Sequence, residues 1–256
     1  MNKTHLILHC DALSLSDVNT FRAAANTLER DYRRHYGATG DNVSVQKATS
    51  GEKIRDIVAG FAVGSIVSLD IVSHGNQGGI HIARALPQPI EAGLIQRTMH
   101  TTLRRHRIDT APPQTAEDAR MIEESMEGLY SNWRAKVGVG YFYNQTYDGT
   151  KAAVLSDLDF GRFHPECFAE FHGCKTAEFI PGLNEFFIDN FAKQFSDQLG
   201  PNGVTVGHIV NAAPDKNPNK NENDYRYGKV RVYRGGNLES DGVERWGLKF
   251  ANSSTP

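Results

Sequence analysis

Ile66-Val67-Ser68-Leu69-Asp70-Ile71-Val72-Ser73, followed at once by His74-Gly75-Asn76-Gln77-Gly78-Gly79, is the stretch that decides the fold. A short apolar run rich in β-branched residues, cut off by a glycine-rich turn, reads as a buried strand. Upstream, Ser50 is placed to N-cap a helix whose Ile54, Ile57, Val58 and Phe61 share one face. Before it, Val43 to Ala48 alternates like a strand. Val18, Phe21, Ala25, Leu28 and Tyr32 recur at helical spacing, with Gly37 placed to end that helix. His5 to Cys10, bounded by Asp11, is one more short apolar strand. Strand, helix, strand, helix, strand at this spacing predicts right-handed crossovers and an α/β fold with a mainly parallel sheet.

Downstream the rhythm changes. Pro87, Pro89, Pro112 and Pro113 punctuate the next stretch, and Ile122, Met126, Leu129, Tyr130 and Trp133 mark an amphipathic helix, so residues 84–136 read as a helical insertion. Strands are expected at Val137 to Tyr143, Cys167 to His172 and Val204 to Val210. A helix with Leu183, Phe187, Phe191, Phe195 and Leu199 on one stripe lies between the last two, stopped by Gly200-Pro201. Asn211 to Asp224, rich in Asn, Pro and Lys, reads as a loop, and residues 225–250 as a C-terminal hairpin turning at Gly235-Gly236. The expectation is a single domain over residues 1–256.

The chain of 256 residues carries 28 basic and 30 acidic side chains, for a net charge of −2, which predicts no bulk attraction to nucleic acid or anionic membrane. Its apolar runs fall far short of the ~20 residues that span a bilayer. The start has too short an apolar run for a signal peptide, so a cytoplasmic location is expected, although a specialised secretion route would leave no trace in the sequence. Three cysteines, Cys10, Cys167 and Cys174, are too few and too odd for a disulfide scaffold and suit a reducing compartment.

In an open α/β sheet, ligands bind beyond the carboxyl ends of the strands. Two such ends carry reactive groups: Ser73-His74-Gly75 and His172-Gly173-Cys174-Lys175-Thr176-Ala177. If the two strands are parallel neighbours, His74 and Cys174 emerge on one edge. A thiol needs an imidazole there, because a free cysteine is only a few per cent thiolate at pH 7. Backbone N–H groups at Gly75 and Cys174 are suited to an oxyanion hole. A strand ending in His-Gly and a later strand ending in Gly-Cys resemble the caspase-like cysteine peptidases, a group that includes caspases, legumains, gingipains and clostripain. The matching residues are Ile71-Val72-Ser73-His74-Gly75 and Phe171-His172-Gly173-Cys174-Lys175-Thr176-Ala177. The resemblance implies a three-layer sandwich and a cysteine endopeptidase acting on a protein or peptide through a thioester. It makes Cys174 the nucleophile, His74 the general base, and the backbones of Gly75 and Cys174 the oxyanion hole, with no cofactor. Asp157 and Asp159, shortly before the cysteine strand, are candidates to receive a basic substrate side chain.

Other readings compete. A non-catalytic interaction module of the same fold would use the 84–136 insertion to bind a partner. A structural zinc site could draw on His164, Cys167, His172 and Cys174, but Cys167 and Cys174 are an odd number of residues apart and face opposite sides of a continuous strand. There is no G-x-S-x-G elbow, no Walker A loop and no G-x-G-x-x-G. Arg104-Arg105-His106-Arg107 reads as a solvated helix face. The face holding Phe168, Glu170, His172 and Cys174 poses one further demand: a buried Glu170 carboxylate requires a partner, which the sequence does not name.

Overall fold

The computed structural model describes residues 3–12, 15–76, 79–82, 141–144, 153–178, 190–214, 217–219, 222–247 and 249–250. The chain divides into two units, residues 1–85 with 139–256, and residues 86–138; the second unit, and with it the expected 84–136 insertion, lies outside the described residues.

The first half follows the expected alternation. β1 (Thr4–Cys10) leads to α1 (Leu15–Tyr36), which gives way to a short 3-10 turn at Gly37–Thr39. β2 (Asn42–Ala48) is followed by α2 (Gly51–Ala59), and the Ser50 hydroxyl caps α2 by accepting from the Lys53 N–H at 3.1 Å. β3 (Ile66–Val72) then runs through the middle of the sheet. Beyond Ser73 the chain does not become the loop that its glycines imply. It continues as β4 (His74–Asn76) and β5 (Gly79–Ile82), an antiparallel hairpin in a second, four-stranded sheet completed by β6 (Tyr141–Asn144) and β7 (Ala153–Val154). Ile80 and Ile82 are fully buried, and their contribution to the core outweighs the weak strand propensity of the segment.

The second half adds β8 (Phe163–Phe171), α3 (Phe191–Leu199), β9 (Val204–His208), β10 (Tyr227–Arg234), β11 (Asn237–Trp246) and β12 (Lys249–Phe250). Leu183 and Phe187, expected on the same helix as Phe191, lie outside the described residues. The main sheet has the order β12-β11-β10-β9-β8-β3-β1-β2. Its five central and edge strands β2, β1, β3, β8 and β9 are parallel, and the terminal hairpin joins them antiparallel through β9 and β10. Gly235 and Gly236 make the hairpin turn at φ 51° and 76°, a left-handed pair that suits the twist of the flanking strands.

Helices cover both faces, giving three layers. On one face α1 packs Phe21, Ala24, Ala25, Leu28 and Tyr32 against Ile7, Val43 and Val72. On the other, α2 and α3 bury Ile54, Val58, Phe191 and Phe195 with Leu6, Leu8, Leu69, Ile71 and Phe171. Phe171, Phe191 and Phe195 meet edge-on or tilted, with ring centroids 4.9–6.2 Å apart. No helix among the described residues is long and apolar enough to cross a membrane.

Candidate functional site

β3 and β8 are parallel neighbours, paired Asp70 to Glu170 and Ile71 to Phe171. The His172 N–H extends the ladder by donating to the Ile71 carbonyl at 2.9 Å. Continued three residues past Ile71 and Phe171, this register brings the His74 and Cys174 segments out side by side at the carboxyl edge. The two backbones then touch through glycines. A Cβ on Gly173 would lie 3.2 Å from both the Cα and N of Gly75. One on Gly75 would lie 2.9 Å from Thr176 Cγ2 and 3.4 Å from the Cys174 carbonyl. Gly173→Ala therefore has to push backbone from backbone. It is expected to destabilise the fold by about 1–3 kcal/mol, read as a lowered thermal midpoint. An unchanged midpoint would mean that the two segments part freely.

Immediately after Cys174, Lys175 adopts φ 58°, the one left-handed non-glycine residue among those described. Hydrogen bonds hold the turn on both sides: the Lys175 N–H donates to Val210 O at 3.0 Å and the Ala177 N–H to His208 O at 2.9 Å. Cys174 is left half-buried at the rim. It packs against the cluster of Phe21, Val72, Ala212 and Tyr225, and its Sγ donates to the Ala212 carbonyl at 3.7 Å. The other two thiols are fully buried on the opposite face of the sheet, where burial pushes both far above the ordinary thiol range. Cys174 is thus the only accessible thiol in the chain.

His74 is about half exposed and its Nε2 lies 3.2 Å from the Asp17 Oδ2, in the first turn of α1. Phe21, one helical turn further on, meets the imidazole edge-on at 5.0 Å between centroids. Tyr225 also meets Phe21, at 6.1 Å between centroids. Burial drives the Tyr225 phenol upward, and the Asp17 carboxylate and Cys174 thiol add to it. Arg226 fixes Tyr225 in turn. Its fully buried guanidinium donates to Asp224 and, at 2.6 Å, to Asp31 on α1.

Beneath this edge, the α1 side of the sheet carries a layer of buried charge. His172 Nε2 and the Tyr32 hydroxyl both meet Asp70, each at 2.8 Å. Glu170 receives a bidentate pair from Arg245 on β11, at 3.0 and 2.9 Å. Burial raises the Glu170 carboxyl, but the Arg245 charge and hydrogen bonds, with His172 beside them, outweigh it and hold the group at about 2. This is the partner that the sequence left unnamed. His208, on β9, is fully buried; burial, together with His172 and Arg245, outweighs the opposing pull of the Glu170 carboxylate and a hydrogen bond to the Tyr225 backbone and lowers it to about 4.

Asp157 and Asp159 belong elsewhere. Asp159 caps a 3-10 turn at Phe160–Arg162, accepting from Gly161 N–H at 3.1 Å and Arg162 Nε at 2.6 Å. Gly161 in turn accepts from Gly64, just before β3, so both acids sit at the amino edge of the sheet. The nine residues of β8, about 30 Å of strand, separate them from Cys174. They lie at the end of β8 away from Cys174.

The proposed zinc ligands do not converge either. Cys167 faces the α2 and α3 side, Cys174 the α1 side, and His164 lies near the start of β8, where its Nδ1 accepts from Glu166 N–H. Asp70, Glu170 and His172 do converge, with one ligand atom of each within 4.8 Å of the others. Their hydrogen bonds already go to Tyr32, Arg245 and one another, and the Arg245 guanidinium supplies the positive charge that a metal would bring.

No family model matches the chain, and no curated protein or solved structure matches it. What stands is an α/β sandwich with a mainly parallel sheet and one accessible thiol at its carboxyl edge.

Proposed function

We propose that the chain is a cysteine peptidase with a caspase-like arrangement, in which Cys174 is the nucleophile and His74 the general base. The observation that carries this reading is the β3–β8 register, which sets the two strand-end segments against each other through Gly75 and Gly173. In the reaction, His74 takes the Cys174 proton and the sulfur attacks the carbonyl carbon of a peptide bond. The N–H groups of Gly75 and Cys174 serve the oxyanion that forms. Collapse breaks the C–N bond, His74 protonates the departing amine, and a thioester remains. Water, deprotonated by His74, then releases the acid and restores the thiol. A protein or peptide substrate and a cytoplasmic setting belong to the same reading, since three unpaired thiols suit a reducing compartment.

The test is the pH dependence of iodoacetamide alkylation at each cysteine, resolved by peptide mass spectrometry. Cys10 and Cys167 serve as buried controls. An unassisted thiol reacts slowly until the pH nears about 8.5. Cys174 is expected to react rapidly at pH 7 and to slow at least about 10-fold in His74→Ala. Indifference of Cys174 to His74 would remove the peptidase reading. A non-catalytic interaction module would then lead, a reading favoured by the bond that the thiol makes to the Ala212 carbonyl.

A further inference from the structure

We infer that Asp17 is a positioning residue, the third member of a Cys174–His74–Asp17 relay in which the start of α1 holds the imidazole in its working tautomer. The inference rests on the peptidase reading above and adds to it a residue from a distant part of the chain. A carboxylate only accepts, so the 3.2 Å contact between Asp17 Oδ2 and His74 Nε2 requires the proton on Nε2. Nδ1 is then left as the basic nitrogen, free to take a proton from the thiol. An acid in the first turn of a helix is ordinarily accounted for by the helix dipole. Here the same helix contributes a second contact one turn along, the edge of Phe21 at 5.0 Å and 75° from the imidazole plane. The carboxylate fixes the ring about its hydrogen-bond axis, and the phenyl edge limits its tilt. The β3–β8 register and the close approach of Gly75 to Gly173 bring the segments that carry His74 and Cys174 together at this edge.

α1 brings these groups to the edge because it starts directly after β1 and packs along its length against β1 and β3. Its first turn therefore lies at the carboxyl ends of the strands, beside the residue that follows β3. Asp17 is about two-fifths exposed, so its removal leaves no buried group unpaired and the fold is expected to survive.

The experiment compares the full chain with Asp17→Ala, Asp17→Asn, His74→Ala and the Asp17→Ala/His74→Ala double variant. Two readouts are used: the Cys174 alkylation rate at pH 7, and the nitrogen-15 chemical shifts of the His74 ring, which report which nitrogen carries the proton. Asp17→Ala is expected to slow alkylation by about 10-fold, the lower end for loss of a group that orients a functional imidazole, and to move the ring signals away from the Nε2–H tautomer. Asp17→Asn retains an acceptor oxygen and should restore the tautomer and most of the rate. In the His74→Ala background the second change should have no further effect, because Asp17 acts only through the ring. Wild-type rate and tautomer in Asp17→Ala would overturn the role of Asp17 while leaving a His74-dependent thiol intact. A Cys174 rate indifferent to His74→Ala would instead overturn the peptidase reading, and the relay with it.

Discussion

Arg245→Met is expected to cost about 3–5 kcal/mol of stability at pH 7, the range for stranding one member of a buried ion pair. Glu170 is about 1 % exposed and sits on β8 four residues before Cys174, while Arg245 comes from β11, 75 residues later. Without the guanidinium, the carboxylate loses its largest compensation for desolvation and has to bear that cost or take up a proton. The two costs can be separated by pH. The native Glu170 group is held at about 2, below its ordinary 4.5, so it contributes stability that is present above pH 4.5 and lost as the pH falls toward 2. The penalty of Arg245→Met should accordingly be largest at pH 7 and shrink toward pH 3, measured as the shift of the urea midpoint at each pH. Replacing both partners with apolar residues, in Glu170→Leu/Arg245→Met, should recover much of the loss, because the pair then leaves no charge behind. A single variant within about 1 kcal/mol of wild type at neutral pH would show that the Glu170 charge does not depend on Arg245.

That ion pair also marks where sequence reasoning stops. Period and caps are local properties, and they indicated β1 through β3, α1 and α2 to within a few residues, including the Ser50 cap. They also indicated that Glu170 would be buried on a strand face. Nothing local names Arg245, because the contact depends on β9 and β10 being laid between β8 and β11. The same limit explains Asp157 and Asp159. They are close to Cys174 in the chain, yet a nine-residue strand carries the chain across the whole sheet between them. The segment after Ser73 failed for a different reason: its glycines and Asn76 are turn formers, and the burial of Ile80 and Ile82 overrides that preference. Asp17, before the apolar stripe of α1, and Tyr225, directly after the Asn211 to Asp224 loop, carry no motif of their own. Neither becomes a site residue until the parallel pairing of β3 with β8 fixes where His74 and Cys174 emerge.

His208 supplies the second large effect. It lies on β9 beneath the Lys175 turn, whose Ala177 N–H it accepts through its carbonyl, and its ring faces His172, Glu170 and Arg245. Its native value near 4 lies below the ordinary 6.5, so between those two pH values the unfolded chain binds a proton that the folded chain refuses. Stability contributed by the neutral ring is therefore complete above pH 6.5 and is lost as the pH falls from 6.5 to 4. The displacement corresponds to on the order of 3 kcal/mol. His5 and His9, both lowered by burial, titrate in the same direction, so the chain should begin to lose stability on mild acidification below pH 6.5. His208→Phe keeps an aromatic ring in the site and removes the titration. It should leave the pH 8 urea midpoint nearly unchanged and flatten the decline between pH 6.5 and 4 by about that amount, with His5 and His9 supplying the slope that remains. A decline as steep as that of the wild type would mean that the His208 ring is protonated in the folded state. The buried layer would then have to hold that positive charge beside Arg245, with the Glu170 and Asp70 carboxylates to compensate it.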